Sequence, residues 1–321
     1  MRRRTVLAAV GLSIPVQLLQ RFDDMLVVPS ASGPPQGPAQ IQQRLLLARR
    51  QFDASALAEL MATLPGMLAA ARDMAERSGT PGGWALLASC YDLATDTLNK
   101  VGRKDTARLT ADRSVQHADR SSDAVAMGAS ARALGMVLRT EGRHQTAAQV
   151  MERAISRLDP TGLRTPAQAS TYVRLLCASA YTASWAGDRA TALERIADAE
   201  RAADRLAGIV GKSGIAMPFV TLYRVGIHYA LGDAGTALHV GRTLRPEMYA
   251  TSERRGRLHT DLARAWWRWG KPEETAHALL AACEQAPSEV KDRPSVRKIA
   301  DELTRHHPRV SGARQLAAAL S

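Results

Sequence analysis

The chain has 321 residues, 45% of them hydrophobic and only 4% aromatic, enough for one large or two ordinary domains with a core built mainly from Ala and Leu. Its formal charge of +12 suits an anionic partner, but the excess is uneven, with seven basic against two acidic residues over 1–50 and thirteen against nine over 251–321. Cys90, Cys177 and Cys283 lie far apart with no C-x-x-C pair, which argues against a disulfide framework or a thiolate metal site and favours the cytoplasm.

Residues 1–28 form the first element, a basic and apolar helix opening on MRRRTVLAAVGLSIPV. Its apolar run is too short to span a bilayer, and nothing later in the chain is long enough either. An Arg cluster before such a run also fits a twin-arginine export signal, so export stands as the alternative to the cytoplasm. The Pro/Gly-rich stretch PSASGPPQGPAQ at 29–40 follows as a flexible linker. From 41 to 321 apolar residues recur at three- and four-residue intervals, the breaks are short Gly, Pro or Asp corners, and alternating β-branched runs are absent, so this domain is all-α.

The corners repeat. Gly102, Gly142, Gly187, Gly232 and Gly270 are each followed by a Thr-Ala pair whose Ala lies five residues on in the first four (Ala107, Ala147, Ala192, Ala237) and six in the last (Ala276). Spacings of 40, 45, 45 and 38 residues define five helical hairpins, with C-terminal helices as a cap. A Gly ends the first helix of each unit because it enters the left-handed conformation without penalty, and the small Ala lets the antiparallel partner come close. A second small residue falls twelve after the Gly as Ala154, Ala199 and Ala282, and Pro160 and Pro287 stop two of the second helices.

The corner, the small residue at plus twelve and the terminal Pro resemble the tetratricopeptide repeat, as do Leu134-Gly135 and Leu262-Ala263 ahead of their corners, although the units exceed the usual 34 residues. The resemblance implies a right-handed superhelical solenoid of about five hairpins with a concave binding groove. More narrowly, the RRRTVLAAVGL opening, the repeats and the ending HTDLARAWWRWGKPEETAHALLAACEQAPSEVKDRPSVRKIADEL resemble the C-terminal sensor portion of actinobacterial Xre-type helix-turn-helix regulators. In that family a DNA-binding domain of four or five helices precedes the repeats. About one helix's worth of chain precedes the linker here, so direct sequence-specific DNA binding is not expected.

In the tetratricopeptide register, residues three, six, ten and thirteen before the corner Gly face the groove. Unit one offers Asp92, Asp96 and Asn99; unit two Arg132, Met136 and Arg139; unit three Arg174, Cys177, Tyr181 and Ser184; unit four Phe219, Leu222 and Tyr229; unit five Arg257, Thr260, Arg264 and Trp267. Five arginines thus converge beside Tyr and Trp, which suits carboxylates or other anions through bidentate hydrogen bonds and stacking, unless Asp and Glu of neighbouring helices pair with them first.

No P-loop, dinucleotide, zinc-protease, EF-hand or serine-hydrolase signature occurs. Glu302, His306 and His307 lack a third ligand for a metal site, and Cys177 has no partner His in register to make it a nucleophile. The expectation is a non-catalytic, cofactor-free regulatory module that senses a peptide, small molecule or protein in its groove, with a homodimer among its assemblies. The alternatives are a DNA-associated regulator using its basic termini and an enzyme without familiar motifs on a helical scaffold.

Overall fold

The computed structural model describes residues 14–27, 34–210 and 217–320; the predicted Arg cluster of the first element and the first part of the linker lie outside them. Among the described residues every regular element is helical. The helices are α1 (Val16–Val27), α2 (Pro38–Asp53), α3 (Leu57–Ser78), α4 (Pro81–Lys100), α5 (Lys104–Ser121), α6 (Ala124–Thr140), α7 (His144–Leu158), α8 (Pro166–Trp185) and α9 (Arg189–Arg205). They continue as α10 (Ala207–Val210), α11 (Met217–Ala230), α12 (Ala234–Gly241), α13 (Ser252–Arg268), α14 (Pro272–Gln285), α15 (Ser288–Lys291), α16 (Pro294–His306) and α17 (Ala313–Leu320).

All five predicted corners are helix ends of one kind. Gly102, Gly142, Gly187, Gly232 and Gly270 have φ of 78°, 79°, 79°, 90° and 70°. The amide after each Gly donates to the carbonyl five residues back, Arg103 to Leu98, Arg143 to Leu138, Asp188 to Ala183, Asp233 to His228 and Lys271 to Trp266, at 2.8–3.0 Å. This Schellman closure satisfies carbonyls that the helix end would leave bare, and a residue with a Cβ is strained at its left-handed position. The corner alanines Ala107, Ala147, Ala192, Ala237 and Ala276 are all fully buried, as are Ala199 and Ala282 at plus twelve.

Five hairpins result, α4/α5, α6/α7, α8/α9, α11/α12 and α13/α14. The first helices of successive units, α4, α6, α8, α11 and α13, lie against one another in sequence order, and each intervening second helix packs on the first helix that follows it. A further hairpin, α2/α3, precedes them; it turns at Ser55, with φ 58°, and so carries no Gly corner to announce it. Residues 38–40, read as linker, open α2 with Pro at its first turn. The first element does not stand apart across a linker: α1 packs on α3, its Phe22 is fully buried in the same core as Leu64 and Tyr91, and its Asp23 pairs with Arg103. At the other end α15, α16 and α17 cover α13 and α14, and their Leu303 and Leu316 bury against Leu279. Among the described residues no helix is long and apolar enough to cross a membrane.

The row of first helices bends until its ends meet, since α13 touches α2. A clasp closes that contact. Lys100 Nζ lies 2.8 Å from Glu253, also pairs with Glu289, and sits 4.5 Å from the centre of the Phe52 ring. Arg293 adds a second cation to Glu289 at 2.8 Å, and Ser288 Oγ donates to the Ser55 carbonyl at 2.8 Å.

Candidate ligand-binding face

Some of the groove positions, Asp96, Arg132, Arg139, Arg174, Tyr181, Arg257 and Arg264 among them, come together on the inner side of the row of first helices, and some of their charges are neutralised there. Arg132 donates to both oxygens of Asp96 at 2.9 and 3.2 Å and lies beside the Met136 sulfur; Arg49 of α2 reaches the same Asp96 at 3.9 Å. On α13, Asp261 accepts from Arg257 at 2.9 Å and Arg264 at 3.5 Å. Burial works against these charges, but the partners outweigh it. Asp96 raises the pKa of Arg132, Asp261 raises that of Arg257, Tyr181 and then Asp261 raise that of Arg264, and Arg257 lowers that of Asp261.

Two predicted arginines are held differently. Among the described residues no carboxylate lies within ion-pair distance of Arg139 or Arg174. Arg139 sits 4.7 Å from the centre of the Tyr181 ring and donates to Thr182 Oγ1 at 3.3 Å. Arg174 lies 5.0 Å from the centre of Phe219, whose ring also takes Arg254 at 4.8 Å. Aromatic faces attract cations but do not cancel them. Burial, with Arg254, Arg132 and Arg49 nearby, accordingly pushes Arg174 down to about 9, and burial lowers Arg139 as well. The phenol of Tyr181 records the same positive field. Burial alone would raise its pKa, yet Arg264, Arg257 and Arg139 bring it below the ordinary value.

Between these groups Tyr181, Leu222, Tyr223, Gly226, Arg254 and Arg257 line a partly open gap that admits no water molecule with the side chains as they stand. Tyr181 and Tyr223 meet edge to face at 6.3 Å, and Tyr223 leans on Phe219 at 5.2 Å. Gly226 allows this closeness, since a Cβ there would stand 3.3 Å from the Tyr181 ring.

Other predicted groove residues lie elsewhere. Asp92 is buried between α4, α5 and α6, where it accepts from Ser114 at 2.6 Å and Ser130 at 3.2 Å; burial pushes its carboxyl up to about 7. Asn99 accepts from Thr140 at 3.4 Å at the edge of the face. Tyr229 carries Arg264 and Arg268 on its ring, each 4.7 Å from the centre. Trp267 is not on the inner face: it packs on the core of α14 and α16 with its ring edge-on to His307 at 5.9 Å, because the C-terminal cap covers that side of α13. Cys177 and Ser184 are buried, and burial raises the Cys177 thiol well above its usual value, which removes its nucleophilic form.

Arg254, Tyr223 and Asp261 belong to the inner face but are absent from the predicted set. Arg254 stands sixteen residues before Gly270, one helical turn beyond the register applied, and could have been found by extending it. Lys100 is recruited by the meeting of the two ends, which no local pattern encodes, and Arg49 comes from the α2/α3 hairpin that carries no Gly corner. Of the thirteen basic residues of 251–321, Arg254, Arg257, Arg264 and Arg293 are engaged on this face or in the clasp, whereas Arg268, Lys271, Lys298, Arg305, Arg309 and Arg314 are exposed.

Comparison of the chain with family models, with curated proteins and with solved structures gives no match in any of the three.

Proposed function

We propose that the chain is a tetratricopeptide-like solenoid acting as a non-catalytic binding module, in which the inner face of the first helices takes the ligand and ligand binding changes the closure of the superhelix. One observation carries the reading. Arg139 and Arg174 are held on aromatic rings inside the molecule without a carboxylate, although the same face supplies Asp96 and Asp261 to Arg132, Arg257 and Arg264. A fold stabilised only for its own sake gains nothing from two uncompensated buried guanidinium groups. A receptor for an outside partner does, because those groups are ready to donate. The repeated corners and unit-to-unit packing support the solenoid, and the likeness of repeats and ending to the sensor portion of helix-turn-helix regulators supports a place in transcription control.

The test is a thermal-shift screen of peptides and small molecules on the full chain, followed by Arg132→Ala, Arg139→Ala, Arg174→Ala and Arg264→Ala. Affinity for a screened ligand falls in these variants; unchanged affinity in all four defeats the assignment of the inner face. The nucleic-acid alternative draws on the exposed basic residues of the C-terminal part, among them Arg305, Arg309 and Arg314. Titration with duplex DNA at several salt concentrations checks it, a steep salt dependence marking real phosphate contacts.

A further inference from the structure

The geometry assigns a specific subsite to the inner face: we propose that Arg174 and Arg254, with Arg257 beside them, bind the carboxylate or phosphate group of a small ligand whose single-ring apolar body lies against Tyr181, Leu222 and Tyr223. This deepens the binding-module reading and rests on it. Arg174 and Arg254 come from different units, on α8 and α13, yet share one Phe219 ring at 5.0 and 4.8 Å. Two like charges brought to one ring repel, and a single anion between them relieves that repulsion while replacing ring contacts by charge-assisted hydrogen bonds.

The dimensions and the lining narrow the class. The gap between these side chains admits no water molecule as they stand, so a ligand body lodges there only as they move aside, which favours a small one. The walls are two phenol rings, a leucine and Gly226, against which the Tyr181 ring packs; the guanidiniums that line it are those of Arg254 and Arg257, and Arg174 meets Arg254 at the shared Phe219 ring. An extended acidic peptide would need charges spread along the face, where Arg132, Arg257 and Arg264 are already partly satisfied by Asp96 and Asp261. Entry requires the guanidiniums to leave the Phe219 ring. Arg254 also lies 3.2 Å from Glu253, which is held by Lys100 of the clasp, so an anion that draws Arg254 away acts on the group that joins the two ends. Ligand binding and clasp opening are thereby coupled through adjacent residues of α13.

The experiment is calorimetric titration of the full chain with phenyl phosphate, benzoate, inorganic phosphate and the neutral analogues phenol and benzamide. The expected result is binding of phenyl phosphate or benzoate at least tenfold tighter than of its neutral analogue, and phenyl phosphate tighter than inorganic phosphate. The better of the two anions identifies phosphate or carboxylate as the natural group. Arg174→Gln and Arg254→Gln each weaken it at least tenfold while circular dichroism shows the same helix content, and Arg195→Gln on the outer surface leaves affinity unchanged. Equal binding of charged and neutral probes, binding that survives both inner substitutions, or failure of every anionic probe overturns the subsite. A neutral ligand from the screen whose affinity falls in Arg132→Ala or Arg139→Ala would overturn the anion subsite and leave the broader binding-face reading standing.

Discussion

Lys100 and Arg174 are both cations on the inner side of the first helices, yet Lys100 stands between two carboxylates and the Phe52 ring while Arg174 has only the face of Phe219. The first arrangement is complete. Glu289 is fully buried and takes both Lys100 and Arg293, and Lys100 and Arg254 hold the Glu253 carboxyl well below its usual range against the opposing effect of burial. Around Arg174 the charges that act most strongly are other arginines, with the Asp53 carboxylate acting from beyond ion-pair distance. The contrast teaches that the molecule neutralises buried charge where it joins its ends and leaves it open where the units face inward. The first is a structural use of charge and the second suits recognition.

The largest expected effect comes from breaking the complete arrangement. Glu289→Ala leaves Lys100 and Arg293 with one buried carboxylate fewer and should cost about 3–5 kcal/mol in urea unfolding, the usual result of removing one partner of a buried pair. A loss under about 1 kcal/mol would erase the distinction between the two regions.

Asp92 lies between the extremes, a buried carboxyl whose direct partners are the hydroxyls of Ser114 and Ser130, with Asp96 and Arg132 acting on it from farther away. Its folded value of about 7 exceeds the unfolded value, so the folded state holds the extra proton between about pH 4 and 7. Stability therefore falls as pH rises through that window, by on the order of 4 kcal/mol, and is lowest above it. Urea titrations from pH 4.5 to 8 check this, and Asp92→Asn should flatten the fall. An unchanged slope in the variant assigns the effect to another group.

The smallest effect is the most telling for the comparison. Arg174→Met keeps an apolar side chain on Phe219 and removes an uncompensated charge, so stability should stay within about 1 kcal/mol of the parent or rise. The parallel change at a paired cation, Arg257→Met, leaves the buried Asp261 with only the longer contact to Arg264 and should be clearly destabilising.

Much of this was legible in the sequence. The Gly corners, each with a Thr-Ala pair shortly after, marked the five hairpins because a left-handed Gly and a close-packing Ala are strict local requirements, and the register placed Arg132, Arg139, Arg174, Tyr181, Arg257 and Arg264 together. Three things were not legible. The α2/α3 hairpin turns at Ser55 without a Gly. The −10 and −3 positions of unit one put Asp92 between neighbouring helices and Asn99 at the edge, and the cap at 294–320 claimed Trp267 for its own core. The meeting of α2 with α13 depends on curvature accumulated over all five units, which brings Lys100 to Glu289 across 189 residues of sequence.

The central claim, that the inner face keeps uncompensated arginines for an anion, is tested most directly by comparing parent and Arg174→Met in urea unfolding with and without saturating phenyl phosphate. The account predicts a crossover: without the anion the variant is as stable as the parent or more so, and with it the parent gains on the order of 2–3 kcal/mol at about a hundred times the dissociation constant while the variant gains little. Equal gains in both proteins, or a variant several kcal/mol less stable without any anion, would contradict it.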